Sequence, residues 1–280
     1  MPAPSTADKR KSFRALHQSG CFVIPNPWNI GSARYLQGIG FKALATTSSG
    51  HAHSLGFADG ALTRDVVLAH YREMAVATDI PLNADFENGF AHDPGELAAN
   101  VTRCIETGVA GLSIEDFSGD DAKPIYGFDQ ALDRIKAARA AIDKAGGDVV
   151  FTARCENFLH GRPDLNDTIG RLKAFADAGA DCLYAPGIKT REQIEAVVKA
   201  VAPKPVNFLN SGAFGFSVQD LAGMGVRRIS VGGTLARVAM HAFIASAREI
   251  AKDGTFNSFA GIMPNAELNT FFTDDRKGRK

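Results

Sequence analysis

The feature that most constrains the fold of this chain is a pattern that recurs eight times along it. Each unit begins with a short apolar run, continues through a polar loop and ends in an amphipathic helical pattern. Such alternation predicts successive βα units and a parallel sheet. The predicted strands lie at 21–26, 42–47, 81–86, 111–116, 148–154, 181–186, 204–210 and 227–232.

A helical pattern follows seven of these strands directly, and the second strand is separated from its helix by a loop rich in glycine, histidine and serine. The predicted helices lie at 29–37, 63–78, after Asp93 and Pro94, and at 129–144, 165–178, 190–201, 217–224 and 235–252, with one more at 6–18 before the first strand. Eight such units favour a closed (β/α)₈ barrel over an open sheet, and 280 residues suit one such domain.

We therefore predict a single domain over 1–280, with the barrel at about 21–252. The segment at about 253–272 leaves the strand and helix pattern, and it is predicted to form one or two short helices that pack on a neighbour or a partner subunit. The polar tail at 273–280 is predicted to be solvated.

The composition favours a small-molecule ligand. Basic and acidic residues balance at 31 each, which argues against nucleic acid or an anionic membrane surface as partner. No apolar run approaches the ~18 residues of a membrane-spanning helix, and 1–20 lacks an apolar signal core. The four cysteines are widely spaced, which predicts buried free thiols in a reducing compartment. A cytoplasmic protein is expected.

In a barrel of this kind, the active site lies at the carboxyl ends of the strands. Two neighbouring strands end in acidic residues: Asp85 and Glu87 follow the neutral amide Asn83 at the end of the third, and Glu115 and Asp116 end the fourth. Carboxylates that share a pocket repel each other unless a cation neutralises them, and oxygen ligands suit Mg²⁺ or Mn²⁺ rather than zinc. The alternative is that each acid caps a helix or pairs with an arginine or lysine.

The predicted metal ligands are Asp85 and Glu115, with Glu87 and Asn83 as further candidates. Arg154 ends the fifth strand and faces these acids, and its planar guanidinium suits a carboxylate or the oxygen of an enolate. A structural ion pair is the alternative for this arginine.

Other polar residues at strand ends are predicted to contact a substrate. Thr47, Ser48 and Ser49 end the second strand, and their hydroxyls and backbone amides suit a carboxylate or oxo group, although a hydrophilic turn would look the same. Asn210, at the end of the seventh strand, is also predicted to contact substrate.

The histidines and the absent motifs narrow the chemistry. The predicted loops contain His51, His53, His92 and His160, and no HExxH spacing links them, which disfavours a zinc site. No GxGxxG, phosphate-binding lysine loop or GxSxG motif appears, which disfavours nucleotide and serine-hydrolase chemistry.

Four strand ends, TTSSG, NADFENGF, GLSIED and FTARCENF, together resemble the isocitrate lyase and phosphoenolpyruvate mutase superfamily, and the resemblance runs from about 21 to 245. It implies a (β/α)₈ barrel that forms homodimers or homotetramers by exchanging the eighth helix. It also implies Mg²⁺-assisted making or breaking of C–C or P–C bonds beside a 2-oxo acid, through an enolate.

The resemblance assigns roles to individual residues. It implies that Thr47 and Ser48 hold the oxo-acid end, that Asp59 is the family's loop aspartate, and that Asp85 and Glu115 hold the metal and its waters. Arg154 would contact the substrate. The catalytic residues are therefore predicted to be Arg154, Asp59 and Glu115.

Two departures from the family pattern bear on the reaction. The paired aspartates of strand three are Asn83 and Asp85 here, and the loop at 117–128 contains neither the lyase KKCGH cysteine nor the mutase asparagine, with Lys123 as a loose analogue. Tyr126 and His92 are candidate proton donors.

Three functions follow. The first is a Mg²⁺-dependent lyase acting on an oxaloacetate-like or 2-methylisocitrate-like compound. The second is a mutase that interconverts phosphonopyruvate and phosphoenolpyruvate, or a hydrolase of the P–C bond in phosphonopyruvate. The third is a barrel without catalysis that binds a 2-oxo acid.

Overall fold

The computed structural model describes residues 3–278 and contains eight parallel strands surrounded by helices, as predicted. The strands are β1 Phe22–Ile24, β2 Leu44–Ala45, β3 Leu82–Asp85, β4 Gly111–Glu115, β5 Val150–Arg154, β6 Cys182–Tyr184, β7 Val206–Leu209 and β8 Arg228–Ser230. The helices of these residues are α1 Thr6–Leu16, α2 Ile30–Gly38, α3 Ser48–Ser54, α4 Arg64–Ala77, α5 Pro94–Ile105, α6 Phe128–Lys144, α7 Leu165–Asp177, α8 Arg191–Val201, α9 Val218–Gly223, α10 Thr234–Asp253 and α11 Asn265–Lys277, with a 3₁₀ turn at Asn257–Phe259.

The strands form a nearly closed barrel. Each strand pairs with its neighbours in the order β1-β8-β7-β6-β5-β4-β3-β2, which leaves a seam between β1 and β2. The amide of Ala45 donates to the carbonyl of Pro25 across this seam (3.1 Å). Above it, the side chain of Asn26 donates to the carbonyl of Thr46 (2.9 Å) and accepts from the amide of Gly232 (2.9 Å). One amide side chain thus joins both edges of the sheet at the rim.

Helix α1 closes the opposite end of the barrel. Its Phe13 is fully buried in a cluster with Ile24, Ala43, Ala45 and Val150, at the amino-terminal end of the strands. Burying an aromatic side chain of this size stabilises a fold by roughly 1.5–3 kcal/mol. Because this end is sealed, the interior opens at the carboxyl ends of the strands.

Helix starts follow the local sequence. The side chain of Asp93 accepts hydrogen bonds from the amides of Gly95 and Glu96, and Pro94 occupies the first helical position, as predicted for α5. On the inner face of this helix, Leu97 and Val101 are fully buried against the barrel. The capping residues and the buried apolar face therefore both explain why this segment forms helix α5.

The prediction of a loop after the second strand is wrong. Residues 48–54 form helix α3, so His51 and His53 are helical rather than in a loop. Thr47 provides the cap, because its hydroxyl accepts from the amide of Gly50 (3.3 Å). The small residues that suggested a turn instead allow close packing, since a Cβ on Gly50 would lie 3.1 Å from the Cβ of Ala236.

The carboxyl-terminal tail also differs from the prediction. Helix α11 continues to Lys277, beyond the predicted end of the extension near 272. Asp275 forms an ion pair with the buried Arg34, whose Nε lies 2.8 Å from Oδ2. The tail therefore includes an anchored helical turn, because one of its acids neutralises a buried guanidinium.

Candidate active site

A cavity of about 200 Å³ enters the barrel at the carboxyl ends of the strands. This is the end at which active sites of such barrels lie. Among its lining residues are seven that the sequence singled out: Thr47, Ser48, Ser49, Asp59, Asn83, Asp85 and Arg154.

The guanidinium of Arg154 gathers carboxylates from three strand ends. Its Nη1 lies 2.6 Å from Oδ1 of Asp85, and its Nη2 lies 3.1 Å from Oε2 of Glu115 and 2.8 Å from Oε1 of Glu156. Glu115 and Arg154 are register partners on β4 and β5, which puts both side chains on the inner face at one level. The predicted convergence of Asp85, Glu115 and Arg154 is therefore present, in the form of an ion-pair cluster.

This cluster carries more negative than positive charge. Burial raises the pKa of Glu115 well above its ordinary value, Arg154 opposes that rise, and Glu156 and Asp85 add to it. Burial lowers the pKa of Arg154, but the facing carboxylates outweigh it and raise the pKa above its ordinary value. One guanidinium against three carboxylates leaves a place where additional positive charge would be stabilising.

Glu87 lies beside the cluster rather than in the cavity wall. Its backbone adopts a left-handed conformation (φ 48°), which is uncommon for a residue with a Cβ. Burial, together with the charges of Asp85 and Asp59, raises the pKa of its carboxyl to about 8 against the opposing effect of Arg154. Glu87 is therefore close enough to interact with the charged groups without lining the cavity.

Asn83 lies in the cavity wall, two residues before Asp85 on the same face of β3. It is 4% exposed, and its Oδ1 is buried without a hydrogen-bond partner among the described residues. An unpartnered buried polar atom is costly unless a ligand or water satisfies it.

Hydroxyls and amides at the start of α3 form the part of the wall next to Asp85. The amide of Ser48 donates to Oδ2 of Asp85 (3.2 Å), and the hydroxyls of Thr47 and Ser49 lie 3.3 Å apart. Gly233 approaches this wall so closely that a Cβ on it would lie 2.4 Å from Oγ of Ser49. Asp59, in the exposed segment between α3 and α4, lies at the mouth.

Sequence reasoning missed several residues of the site. Tyr184, at the end of β6, lies with its ring centroid 5.0 Å from the guanidinium carbon of Arg154 and lines the cavity. Glu156 follows Arg154 by two positions and is 2% exposed. Thr46 accepts from the amide of Asp85 (2.9 Å). Each stands at a strand end, so the positional signal that identified Arg154 also applied to them.

Other sequence candidates do not line the cavity themselves. Glu115 forms an ion pair with Arg154 (3.1 Å), and Asn210 follows β7, with an Oδ1 that is buried and without a partner among the described residues. His92 and Tyr126 hydrogen-bond each other (2.7 Å), and Arg134 lies over the Tyr126 ring. None of these residues lines the cavity.

Asp116 has the structural role that was its alternative. Its Oδ2 lies 3.2 Å from Nη1 of the buried Arg171, and its Oδ1 accepts from the amide of Glu156 (2.7 Å). It supports the backbone that carries Glu156.

The side chains around the cavity suit a Mg²⁺ ion that keeps several of its waters better than an ion that is coordinated by side chains alone. Within residues 3–278, no group of three or more His, Cys, Asp and Glu side chains is placed to hold a metal ion. Magnesium in enzymes commonly keeps several waters and contacts one or two carboxylates. Asp85 in the wall, with Glu115 and Glu87 behind it, matches that second pattern.

Comparison with known proteins identifies related sequences and structures. A family model described as phosphoenolpyruvate phosphomutase matches residues 13–251. An oxaloacetate decarboxylase of Paraburkholderia xenovorans is 28% identical, over 90% of this chain and 85% of its own. A crystal structure from Burkholderia cenocepacia J2315, classed provisionally as a lyase or mutase, is 46% identical, with a TM-score of 0.92 over 96% of this chain and 97% of its own.

A phosphonopyruvate hydrolase crystallised with oxalate and Mg²⁺ is 25% identical to this chain. Its TM-score is 0.84, and the match covers 96% of each chain.

Proposed function

The chain belongs to the phosphoenolpyruvate mutase and isocitrate lyase superfamily of enzymes, and from that premise we propose that it is a Mg²⁺-dependent lyase acting on a small 2-oxo acid. One observation carries the proposal: Arg154 and Asp85 meet at 2.6 Å in the wall of a cavity that Thr47, Ser48 and Ser49 also line. A cation, a carboxylate and neutral donors around a small cavity suit an anionic substrate that develops charge on oxygen.

The metal is inferred from the donor set. The cluster around Arg154 has an excess of buried carboxylate oxygen, which is the ligand type that Mg²⁺ prefers. We propose that Asp85 holds the ion, directly or through water, and that Glu115 and Glu87 orient its waters. When bound, Mg²⁺ would polarise the carbonyl oxygen of the substrate.

The residues of the chain would supply binding and charge. The hydroxyls of Thr47 and Ser49, with nearby backbone amides, would bind the substrate carboxylate. Arg154 would stabilise negative charge on the former carbonyl oxygen as the adjacent C–C bond breaks, because its guanidinium is already fixed by Glu156 and Tyr184. Asp59 at the mouth would contact the substrate from the solvent side.

We also propose that the enzyme is a homo-oligomer. Only Ala236 is buried on α10, while Val238, Phe243 and Ile262 are each more than 60% exposed. Apolar side chains exposed so fully on adjacent segments are typical of a subunit interface.

Among the described residues, no helix combines the length and apolar character that crossing a bilayer requires.

Turnover assays test the proposed reaction. Purified protein would be incubated with oxaloacetate, 2-methylisocitrate or phosphonopyruvate, first with Mg²⁺ and then with EDTA. Carbon–carbon cleavage that stops with EDTA is expected. Conversion of phosphonopyruvate to inorganic phosphate or to phosphoenolpyruvate, monitored by phosphorus NMR, would instead identify P–C bond chemistry. Oxalate binding without any turnover would identify a binding protein.

A variant pair tests the metal assignment. We expect Asp85→Asn to weaken Mg²⁺ binding at least tenfold, as measured by calorimetry, because it removes the carboxylate charge nearest the cavity. Asp133→Asn, on the exposed face of α6, is the control with the same change. Equal Mg²⁺ affinity in the two variants would contradict the assignment.

A further inference from the structure

A second guanidinium lies at the floor of the same cavity. Arg228, on β8, is 3% exposed and lines the cavity below the level of Arg154. The site described above makes no use of it. Its surroundings differ from those of Arg154 in the charge of the groups that it contacts.

All three hydrogen-bond partners of Arg228 are uncharged. Its Nε donates to Oδ1 of Asn207 (2.8 Å), its Nη2 donates to Oγ1 of Thr152 (3.0 Å), and its Nη1 lies 3.3 Å from Nε2 of His17. Nδ1 of His17 donates to the carbonyl of Phe13 (2.8 Å), which leaves Nε2 as an acceptor. Burial, with the charge of Arg228, lowers the pKa of His17 to about 3, so this ring is neutral.

Arg228 therefore has no counter-ion within the described part of the chain. None of its partners is a carboxylate, whereas Arg154 has three. A guanidinium has five N–H donors, and the three contacts leave two of them unused. An arginine buried without a carboxylate is costly, and an anionic ligand would offset that cost.

A second observation points to a ligand at this depth. Asn83, nine-tenths buried, lines the cavity with an Oδ1 that has no partner among the described residues. Its Nδ2 donates to the carbonyl of Ala84 (3.1 Å), so Oδ1 can accept from a hydroxyl, and an amide that rotates away from Ala84 could donate to an anion. Arg228, with unused donors, and Asn83, with an unsatisfied amide oxygen, thus line the same cavity.

The depth of the cavity suits a dicarboxylic acid. Thr152, which Arg228 contacts, precedes Arg154 by two residues on β5, so the two levels lie roughly 7 Å apart at about 3.3 Å per residue. The carboxyl carbons of a four- or five-carbon diacid lie about 4–5 Å apart at ~1.5 Å per bond. With a hydrogen bond at each end, such an acid spans from the Arg154 level to the floor.

We propose that Arg228 binds the second carboxylate of the substrate, so that the enzyme selects 2-oxo dicarboxylates over 2-oxo monocarboxylates. This inference rests on the proposed function, since it assigns the other end of the same substrate. Arg154, the metal site and the wall at Thr47 to Ser49 would hold the 2-oxo acid end. Arg228 and Asn83 would hold the distal carboxylate inside the barrel.

Binding to the wild-type enzyme gives the first test. With Mg²⁺ present, calorimetry would compare 2-oxoglutarate with 2-oxoglutaramate, which has the same length but a neutral distal amide, and oxaloacetate analogues with pyruvate. We expect each diacid to bind at least tenfold more tightly than its neutral-ended or monocarboxylate counterpart. Equal affinities would overturn the proposal without affecting the proposed function. Failure of every 2-oxo acid to bind would overturn both.

Variants then locate the preference. Arg228→Gln should abolish the diacid preference while leaving pyruvate affinity within about twofold, and Arg228→Lys should keep part of it. Arg227→Gln removes the same charge at the neighbouring position, where the side chain reaches the carbonyl of Gly20, and should keep the whole preference. A diacid preference that survives in Arg228→Gln, or an equal loss of all acids in a variant with wild-type melting temperature, would overturn the proposal. If Arg228→Gln does not fold, the wild-type ligand series decides.

Discussion

Replacement of Arg154 by glutamine tests whether the acid cluster is held together by a single buried cation. Arg154 is the one guanidinium in contact with Asp85, Glu115 and Glu156 among the described residues. Glutamine is polar but shorter and neutral, so Arg154→Gln leaves three neighbouring carboxylates without a counter-ion. We expect the metal-free variant to be strongly destabilised at neutral pH.

The size of the effect follows from burial. Side chains in this cluster are between 3% and 19% exposed, and removal of one partner from a buried ion pair costs about 3–5 kcal/mol. For a large domain, 1 kcal/mol corresponds to roughly 2 °C in melting temperature. The melting temperature of Arg154→Gln should therefore fall by roughly 6–10 °C in EDTA at pH 7.

The pH dependence has a definite sign. Burial and neighbouring carboxylates raise the pKa of Glu115 in the folded protein, and loss of Arg154 removes the main opposing influence. The folded variant then binds protons more tightly than the unfolded chain, so its stability falls as the pH rises above the ordinary glutamate pKa. The difference from wild type should be smaller at pH 5 than at pH 7.

Differential scanning calorimetry at both pH values, with EDTA or excess Mg²⁺, measures these effects. Magnesium should raise the melting temperature of Arg154→Gln more than that of wild type, because it replaces the missing charge. Arg191→Gln is the matched control, since its pair with Glu195 is half-exposed and should contribute less than about 1 kcal/mol. Melting of Arg154→Gln within 2 °C of wild type in EDTA at pH 7, or an equal deficit at both pH values, would refute the reasoning.

Three further outcomes are expected. His70 stacks on His51 with ring centroids 3.6 Å apart, and burial lowers the pKa of His70 to about 3. The wild-type protein therefore loses free energy of unfolding as the pH falls from 6.5 towards 3. Between pH 6.5 and 5, His70→Phe should lose less of this free energy than wild type, by up to about 2 kcal/mol in urea unfolding. An equal loss would contradict this. Phe13→Ala should cost about 3–5 kcal/mol in the same assay, and a cost under 1 kcal/mol would show that α1 does not seal the barrel. Gly233→Ala should displace Ser49 and lower kcat/KM at least tenfold with little change in melting temperature; unchanged kinetics would exclude Ser49 from the site.

Much of the site could be predicted from the sequence because the barrel fixes direction. Asp85, Glu115 and Arg154 each end a strand, and in a parallel barrel all strand ends of one kind meet at one rim. The alternation of strands and helices gave the order and direction of the strands, and the structure supplied the register that pairs Glu115 with Arg154. The same logic placed Thr47 and Ser49 at this rim, although it could not show that a helix begins there.

The sequence by itself therefore determined the eight-stranded barrel, the end at which the site lies and the acids that meet there, because these depend on local periodicity and strand direction. The tertiary structure alone decided which charges are paired. Asp116 is neutralised by Arg171, and Asp275 reaches Arg34 from 241 positions away, whereas Arg228 is buried among neutral partners. Ion pairing depends on distances between side chains remote in sequence, and no local pattern encodes those distances.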